Sequence, residues 1–534
     1  MNSLFLILIA AAVFFVAYVT YGAYLCKKWG IDPNRKTPAH TINDGVDYMP
    51  AKAPVLLGHH FSSIAGAGPI VGPIGAAIFG WVPVFLWIII GSVFFGGVHD
   101  MGALFASVRH DGKSLGEVIG VTIGKNGKKL FAIFAWLTLL LVIAAFTNIV
   151  ANTFVAVPEA ATASVLFIAV AIIFGVFVYR RGVSLAVGSI IGVALLILSI
   201  YIGTIHPLVL GKTSWMFILL AYIFVASVTP VWILLQPRDY LNSFLLYAML
   251  IGGFVGVIFM RPTIELAPVT SFTIGKATLF PMLFVTVACG AISGFHSLVG
   301  SGTTAKQIDN EKDIKLIGYG SMLIEGILAT LAIVTAGYIA GDKLTELLAN
   351  GGPVNVFSNG IGDFMTSFGL PFATGKSFVA LAISAFALTS LDTATRLARF
   401  IFQEFFDVSK ESTPSPLTNR YVSTCITVVV GGGLAFKGWK AIWPLFGSAN
   451  QLLAALALLA IGVWLKQSGK NHKMATIPMV FMFAVTLVAL VQLMIANIGN
   501  RLLLFFSVAL FVLAIVLIIQ AKSAFSKATA VSKK

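Results

Sequence analysis

GHHFSSIAGAGPIVGP, residues 58–73, decides how this chain is read. It lies inside a segment apolar enough to cross a membrane, yet carries His59, His60, four glycines and two prolines. An uninterrupted helix disfavours that composition, since each Gly costs about 1 kcal/mol and each Pro about 3 kcal/mol in a helix interior. Polar residues at membrane depth are also costly, and they tend to line a cavity or site. The stretch predicts a helix broken at Gly66 to Gly68. Pro69 then opens the second half, where its missing N–H does no harm. The competing reading is a Gly-rich helix whose small residues only permit close packing.

Composition settles the class. Of 534 residues, 58% are hydrophobic and 10% charged, against about 25% charged in soluble domains. This predicts an all-α polytopic membrane protein. The net charge of +15 does not point to nucleic acid, because the cations fall in short clusters between apolar runs, as membrane orientation requires. Cys26, Cys289 and Cys425 have no paired spacing, so neither a disulfide framework nor a metal site is expected. Residues 1–25 lack a basic start and are followed by Lys27 and Lys28, which suits an uncleaved first helix.

About fifteen apolar runs reach spanning length. Threading them alternately from an external N-terminus places 27 of the 35 Lys and Arg residues on one side. A wrong helix count would scramble that bias, so the N-terminus is expected outside and the C-terminus in the cytoplasm. The segment VFSNGIGDFMTSFGLP, within the 341–376 connection, reads as an amphipathic external element or lid.

The opening stretch has a second copy. Ser63-Ile-Ala-Gly-Ala-Gly68 recurs as Ser297-Leu-Val-Gly-Ser-Gly302, with His296 just before it. The charge pattern runs the two copies through the membrane in opposite directions. Two similar halves of opposite orientation are the signature of an inverted-repeat secondary transporter, its site where broken helices meet. The expected division is a peripheral helix and loop over 1–53, a first repeat over 54–205 and a two-helix insertion over 206–279. A second repeat follows over 280–465, then peripheral helices and a basic tail over 466–534. Half-helix N-termini suit a carboxylate, and Thr303 and Thr304 are suitable N-caps.

Other polar residues lie within the apolar runs: His99 and Asp100, Glu325, and Asp392 with Arg396 four residues on, where the two can pair. Buried carboxylates and histidines are the equipment of proton coupling; a structural ion pair and simple helix contacts are the plainer accounts. Asn148 and Asn152 share a face as hydrogen-bond partners between helices. In QPRDYLNSF, Arg238 and Asp239 are expected to fix a connection, and Ser448, Asn450 and Gln451 to line a cavity or glue helices together.

Taken together, GHHFSSIAGAGPIVGP, LFPMLFVTVACGAISGFHSLVGSGTTAK, PVWILLQPRDYLNSF, LDTATRLARF and WPLFGSANQ resemble the carbon starvation protein A (CstA) family, from about residue 30 to 465. The resemblance implies a bacterial inner-membrane transporter of the broken-helix, 5+5 inverted-repeat (LeuT/APC-like) kind, linked to carbon starvation. It implies import of pyruvate or short peptides, with protons. Gly66, Gly68, Gly300 and Gly302 are expected to unwind the helices, with Ser63, Ser297, Ser301 and Thr303 binding substrate. His59, His60 and His296 are candidates for substrate contact or proton coupling, and Asp100, Glu325 and Asp392 for coupling. No cofactor is expected. A homo-oligomer in the lipid bilayer is compatible with this reading. The alternatives are a nutrient-sensing receptor and a membrane-embedded enzyme using His and Asp chemistry.

Overall fold

A computed structural model describes residues 2–44, 47–230, 233–275, 277–406 and 415–531. The end of the basic tail, 532–534, lies outside these. Twelve helices among the described residues are long and apolar enough to cross a membrane, and a bent pair adds one more. Two shorter apolar helices accompany them. Among the described residues the architecture is therefore helical and multi-pass, apart from one antiparallel strand pair, Thr273–Ile274 with Ala277–Thr278.

In chain order, α1 is Ser3–Trp29, α2 is Ala53–Ile64, α3 is Gly68–Ala76 and α4 is Trp81–Arg109. Then come α5, Lys125–Ala156; α6, Pro158–Val178; α7, Leu185–Ile205; α8, Lys212–Val228; and α9, Leu235–Met260. The second half holds α10, Leu279–Val287; α11, Gly294–Gly302; α12, Lys315–Ile339; and α13, Pro353–Thr366. It continues with α14, Phe372–Phe406; α15, Arg420–Ala435; α16, Trp439–Gln467; α17, Lys473–Ala496; and α18, Arg501–Val531.

The two long helices α5 and α14 pack along each other at the centre, and α8 and α15 each pack on both. Helix α9 lies on α2 and α14, while α16 lies on α11 and α5. Helices α6 and α7 pack chiefly on one another. The segment expected as an amphipathic external element or lid forms helix α13, packed among α9, α12 and α14. Its apolar residues at 354, 356, 357, 361 and 364 are inaccessible to solvent or nearly so, which fits a wedge rather than a cover.

At one end, residues 30–44 and 47–52 strap the first half to the second. Lys36 bridges Asn310 and Ala51 bridges Ile308 through the backbone. Thr37 donates to the Ile308 carbonyl at 2.5 Å. Glu311, fully buried, accepts from Arg109 Nε and Nη2 at 2.7 and 2.8 Å and from the Asp32 N–H at 2.9 Å. A buried carboxylate holds its charge only with such a shell of donors.

Candidate functional site

The first break lies where the sequence places it. Helix α2 ends at Ile64, and Ala65 adopts φ −75° and ψ 66°, with the Gly66 N–H donating to the Ile64 carbonyl at 2.8 Å. That is an inverse γ-turn. Helix α3 restarts at Gly68 with Pro69 in its first turn, and the two halves are bent by 47°. Gly66 lies against Phe146 and the Ser390 hydroxyl: a Cβ there would meet Ser390 Oγ at 2.6 Å.

The second break is displaced from its expected position. Gly300 and Gly302 lie within helix α11, and the interruption covers Ala288 to Ser293 upstream. Ala288 takes φ 42°, a left-handed conformation that is costly for a residue with a side chain. A Cβ at Gly300 would lie 3.9 Å from His60 Cε1, and one at Gly302 would lie 3.6 Å from Leu397, both ordinary contact distances. Thr303 follows α11 and donates back to the Val299 carbonyl at 3.0 Å, so it closes a helix rather than capping a new one.

An interrupted span exposes backbone groups that lipid cannot satisfy, and α16 supplies partners for the second break. Asn450 Oδ1 accepts from the Phe295 N–H at 2.9 Å, and its Nδ2 donates to Ser293 Oγ at 3.0 Å. Gln451 donates to the Phe284 carbonyl at 2.6 Å, and Trp443 Nε1 to the Thr286 carbonyl at 3.1 Å. The two breaks also touch, because a Cβ on Gly68 would meet Cys289 Sγ and Cβ at 2.6 Å.

Beside that contact is a buried relay of ionisable groups. His99 Nδ1 lies 2.6 Å from Asp100 Oδ1, and His296 Nδ1 lies 2.8 Å from Asp100 Oδ2. On its other edge, His296 Nε2 is 3.4 Å from Glu325 Oε2. All four side chains are at most 3% exposed. Neither Glu325 oxygen has a hydrogen bond. His296 thus links a carboxylate on α4 to one on α12. His60 is buried nearby, its Nδ1 2.8 Å from Thr304 Oγ1, whereas His59 is only partly buried. The hydroxyls of Ser63, Ser297 and Ser301 donate to carbonyls of their own helices at 2.9, 2.6 and 2.6 Å.

A second ionic cluster lies where α8, α9 and α14 meet. Asp392 pairs with Arg238, not with Arg396. Arg396 reaches the Ala226 and Thr229 carbonyls, both at 2.7 Å. It thereby serves the C-terminal end of α8, where a cation is favoured. Arg238 is not in a connection: it sits in the first turns of α9, only 1% exposed. It also bonds Tyr222, and its Nη2 donates to Thr389 Oγ1 at 3.2 Å. Tyr222 donates to Asp392 Oδ2 at 2.9 Å. The sequence reading named this arginine but placed it in a connection, although Pro237 in front of it was a helix-start signal. Asn148 binds between helices as expected, donating to the Ala435 carbonyl at 2.9 Å and accepting from the Trp439 N–H at 3.1 Å.

Among the described residues no group of His, Cys, Asp and Glu is arranged to hold a metal ion. Two cavities, of about 270 and 450 Å³, are lined by residues such as Tyr338 and Asp363 or Tyr201 and Phe378, and neither reaches the breaks.

Comparison with known proteins agrees with the motifs. The family model described as "Carbon starvation protein CstA" matches residues 2–349 and 342–489. The Helicobacter pylori protein named peptide transporter CstA is 33% identical, over 91% of this chain and 81% of its own length. The Escherichia coli pyruvate/proton symporter BtsT is 32% identical, over 86% of this chain and 76% of its own. In fold, a manganese transporter from Eremococcus coleocola aligns with a TM-score of 0.54 at 13% identity, covering 93% of this chain and 99% of that one. The chain belongs to the carbon starvation protein CstA family.

Proposed function

We propose that this protein is a secondary transporter that imports small carboxylate-bearing nutrients, pyruvate or short peptides, together with protons. The observation that carries the reading is His296, which bridges Asp100 on one side and Glu325 on the other beside two touching helix breaks. Ionisable groups this deep in a membrane are expensive unless they carry something. Both substrates in the names of the relatives, peptides and pyruvate, present a carboxylate. Alternating exposure of that centre, with protons moving on the buried carboxylates, fits these parts.

The packing supports a different division of the repeat from 54–205 and 280–465. Helices α8 and α15 are the two short apolar helices, 17 and 16 residues long. Each follows a long central helix or its neighbours and packs on both α5 and α14. Helices α9 and α16 likewise each pack on the first half of a broken span. The fourth and fifth helices of the first repeat are then α8 and α9. The inserted pair is α6 and α7, over 158–205, rather than 206–279. Counting both short helices gives fifteen crossings, with the N-terminus outside the bacterial inner membrane and the strap at its cytoplasmic face.

The test is uptake of labelled pyruvate and labelled dialanine into proteoliposomes, with and without an inward proton gradient. Gradient-driven accumulation of either is expected. Uptake of neither would refute the proposal.

A further inference from the structure

We infer that Arg238 is the group that receives the carboxylate of the transported molecule, and that Asp392 occupies its guanidinium until Asp392 takes a proton. This rests on the proposed import of carboxylate-bearing nutrients. Arginine is the side chain best matched to a carboxylate, because its planar fork offers paired donors. In this structure Arg238 is fully buried, and its one close carboxylate is Asp392; Asp239 Oδ1 is 3.7 Å away. The bond to Asp392 uses Nη1, and Nε has no partner.

Two features place the pair at the substrate route. Arg238 bonds Thr389, and the next residue, Ser390, lies against Gly66 in the first break. The Ser390 hydroxyl and Asp392 Oδ1 are both buried without hydrogen bonds. The first is a polar atom at the edge of the unwound backbone, the second lies beside Arg238, and both are available for a ligand. Buried polar groups left without partners are costly, a cost that a bound carboxylate and a proton would remove.

The charge balance explains the coupling. With Asp392 ionised, the guanidinium faces two carboxylates, Asp392 in direct contact and Asp239 at 3.7 Å. When Asp392 binds a proton, its charge is lost, and an incoming carboxylate takes its place on Arg238. The buried charge is the same before and after, so anion and proton enter together. The groups facing Asp392 are Arg238 and Asp239 from α9, Tyr222 from α8 and Arg396 on its own helix. Arg396 is held by carbonyl oxygens and does not exchange partners in this scheme.

The experiment measures binding of pyruvate and dialanine to the purified full chain from pH 5.5 to 8. For the wild type, affinity should fall about tenfold per pH unit once Asp392 is ionised, as linkage of one proton to one anion requires. Pyruvamide and dialanine amide should not bind. Asp392→Asn should bind both acids with no pH dependence in this range, and should exchange pyruvate across vesicles without accumulating it. Arg238→Gln alone would leave a buried carboxylate unpaired and threaten the fold. It is therefore made in the Asp392→Asn background, where binding should be lost while thermal stability stays near that of the single variant. If wild-type vesicles accumulate either acid with protons but the double variant still binds it, this inference falls and the transport reading stands. An unchanged pH slope in Asp392→Asn has the same meaning. If the wild type takes up neither, both fall.

Discussion

Replacing Gly68 by Ala tests whether the two helix breaks truly meet. The added Cβ would lie 2.6 Å from both Cβ and Sγ of Cys289, where ordinary contact begins at 3.4 Å. The breaks must therefore part by about 0.8 Å, or Cys289 must leave its place. Cys289 sits in the short turn that follows α10, so it has little freedom to rotate away. Overpacking of this kind costs about 1–3 kcal/mol. The same change in a Cys289→Gly background removes both clashing atoms, so its cost should fall by about that amount. An Ala before Pro69 is less suited to helical backbone, but that penalty is equal in both backgrounds and cancels. The assay is thermal unfolding in detergent for all four members of the cycle, with gradient-driven uptake alongside. Gly68→Ala should melt several degrees below the wild type and lose uptake, and Cys289→Gly should restore most of both. Equal losses in the two backgrounds would show that the breaks are not in contact.

Other outcomes follow from the same geometry. Glu325→Gln keeps the volume but removes the carboxylate proposed to carry a proton beside His296, so gradient-driven accumulation should fall while the pH dependence of binding set by Asp392 remains; wild-type accumulation would exclude Glu325 from coupling. Replacing either His60 or His296 by Ala should abolish accumulation, and unchanged uptake with unchanged pH dependence would refute their assignment. Asn450→Ala strips a partner from the Phe295 N–H and from Ser293 at once, which should cost about 2–4 kcal/mol; a melting temperature equal to the wild type would refute that account of the second break. Glu311→Ala leaves Arg109 without its buried carboxylate and should cost about 3–5 kcal/mol, read as lower thermal stability.

The class of fold and the first break were legible because both depend on local composition. Gly66, Pro69 and the apolar runs act within a few residues of themselves. The second break was misplaced for a definite reason. The repeated Ser-x-x-Gly-x-Gly pattern reports small residues, and at Gly300 and Gly302 they sit within helix α11 without breaking it. The actual interruption depends on Asn450, Gln451 and Trp443, some 150 residues away, which accept or donate in place of the missing helix bonds. Asp392 was recognised as buried, but its partner was not. Spacing along one helix proposed Arg396, whereas the nearer cation, Arg238, comes from another span. Helix spacing cannot reveal a bond between helices. The proposed relocation of the inserted pair has a similar origin, since only packing distinguishes 158–205 from 206–279.

The strap at Glu311 has a consequence for the balance between conformations. Any rearrangement that separates the 30–52 segment and Arg109 from the 307–311 segment must give up a buried ion pair and several backbone bonds. If water recovers only part of that, a remaining cost of about 3 kcal/mol lowers the population of the separated form by roughly two powers of ten. The protein would then spend most of its time closed at this end, and a molecule arriving from the opposite side would meet a receptive form nearly always. Release would be the rare event. Turnover would then be set less by how tightly the central site binds than by how often the strap lets go, and weakening Glu311 would make transport faster but less strictly one-way.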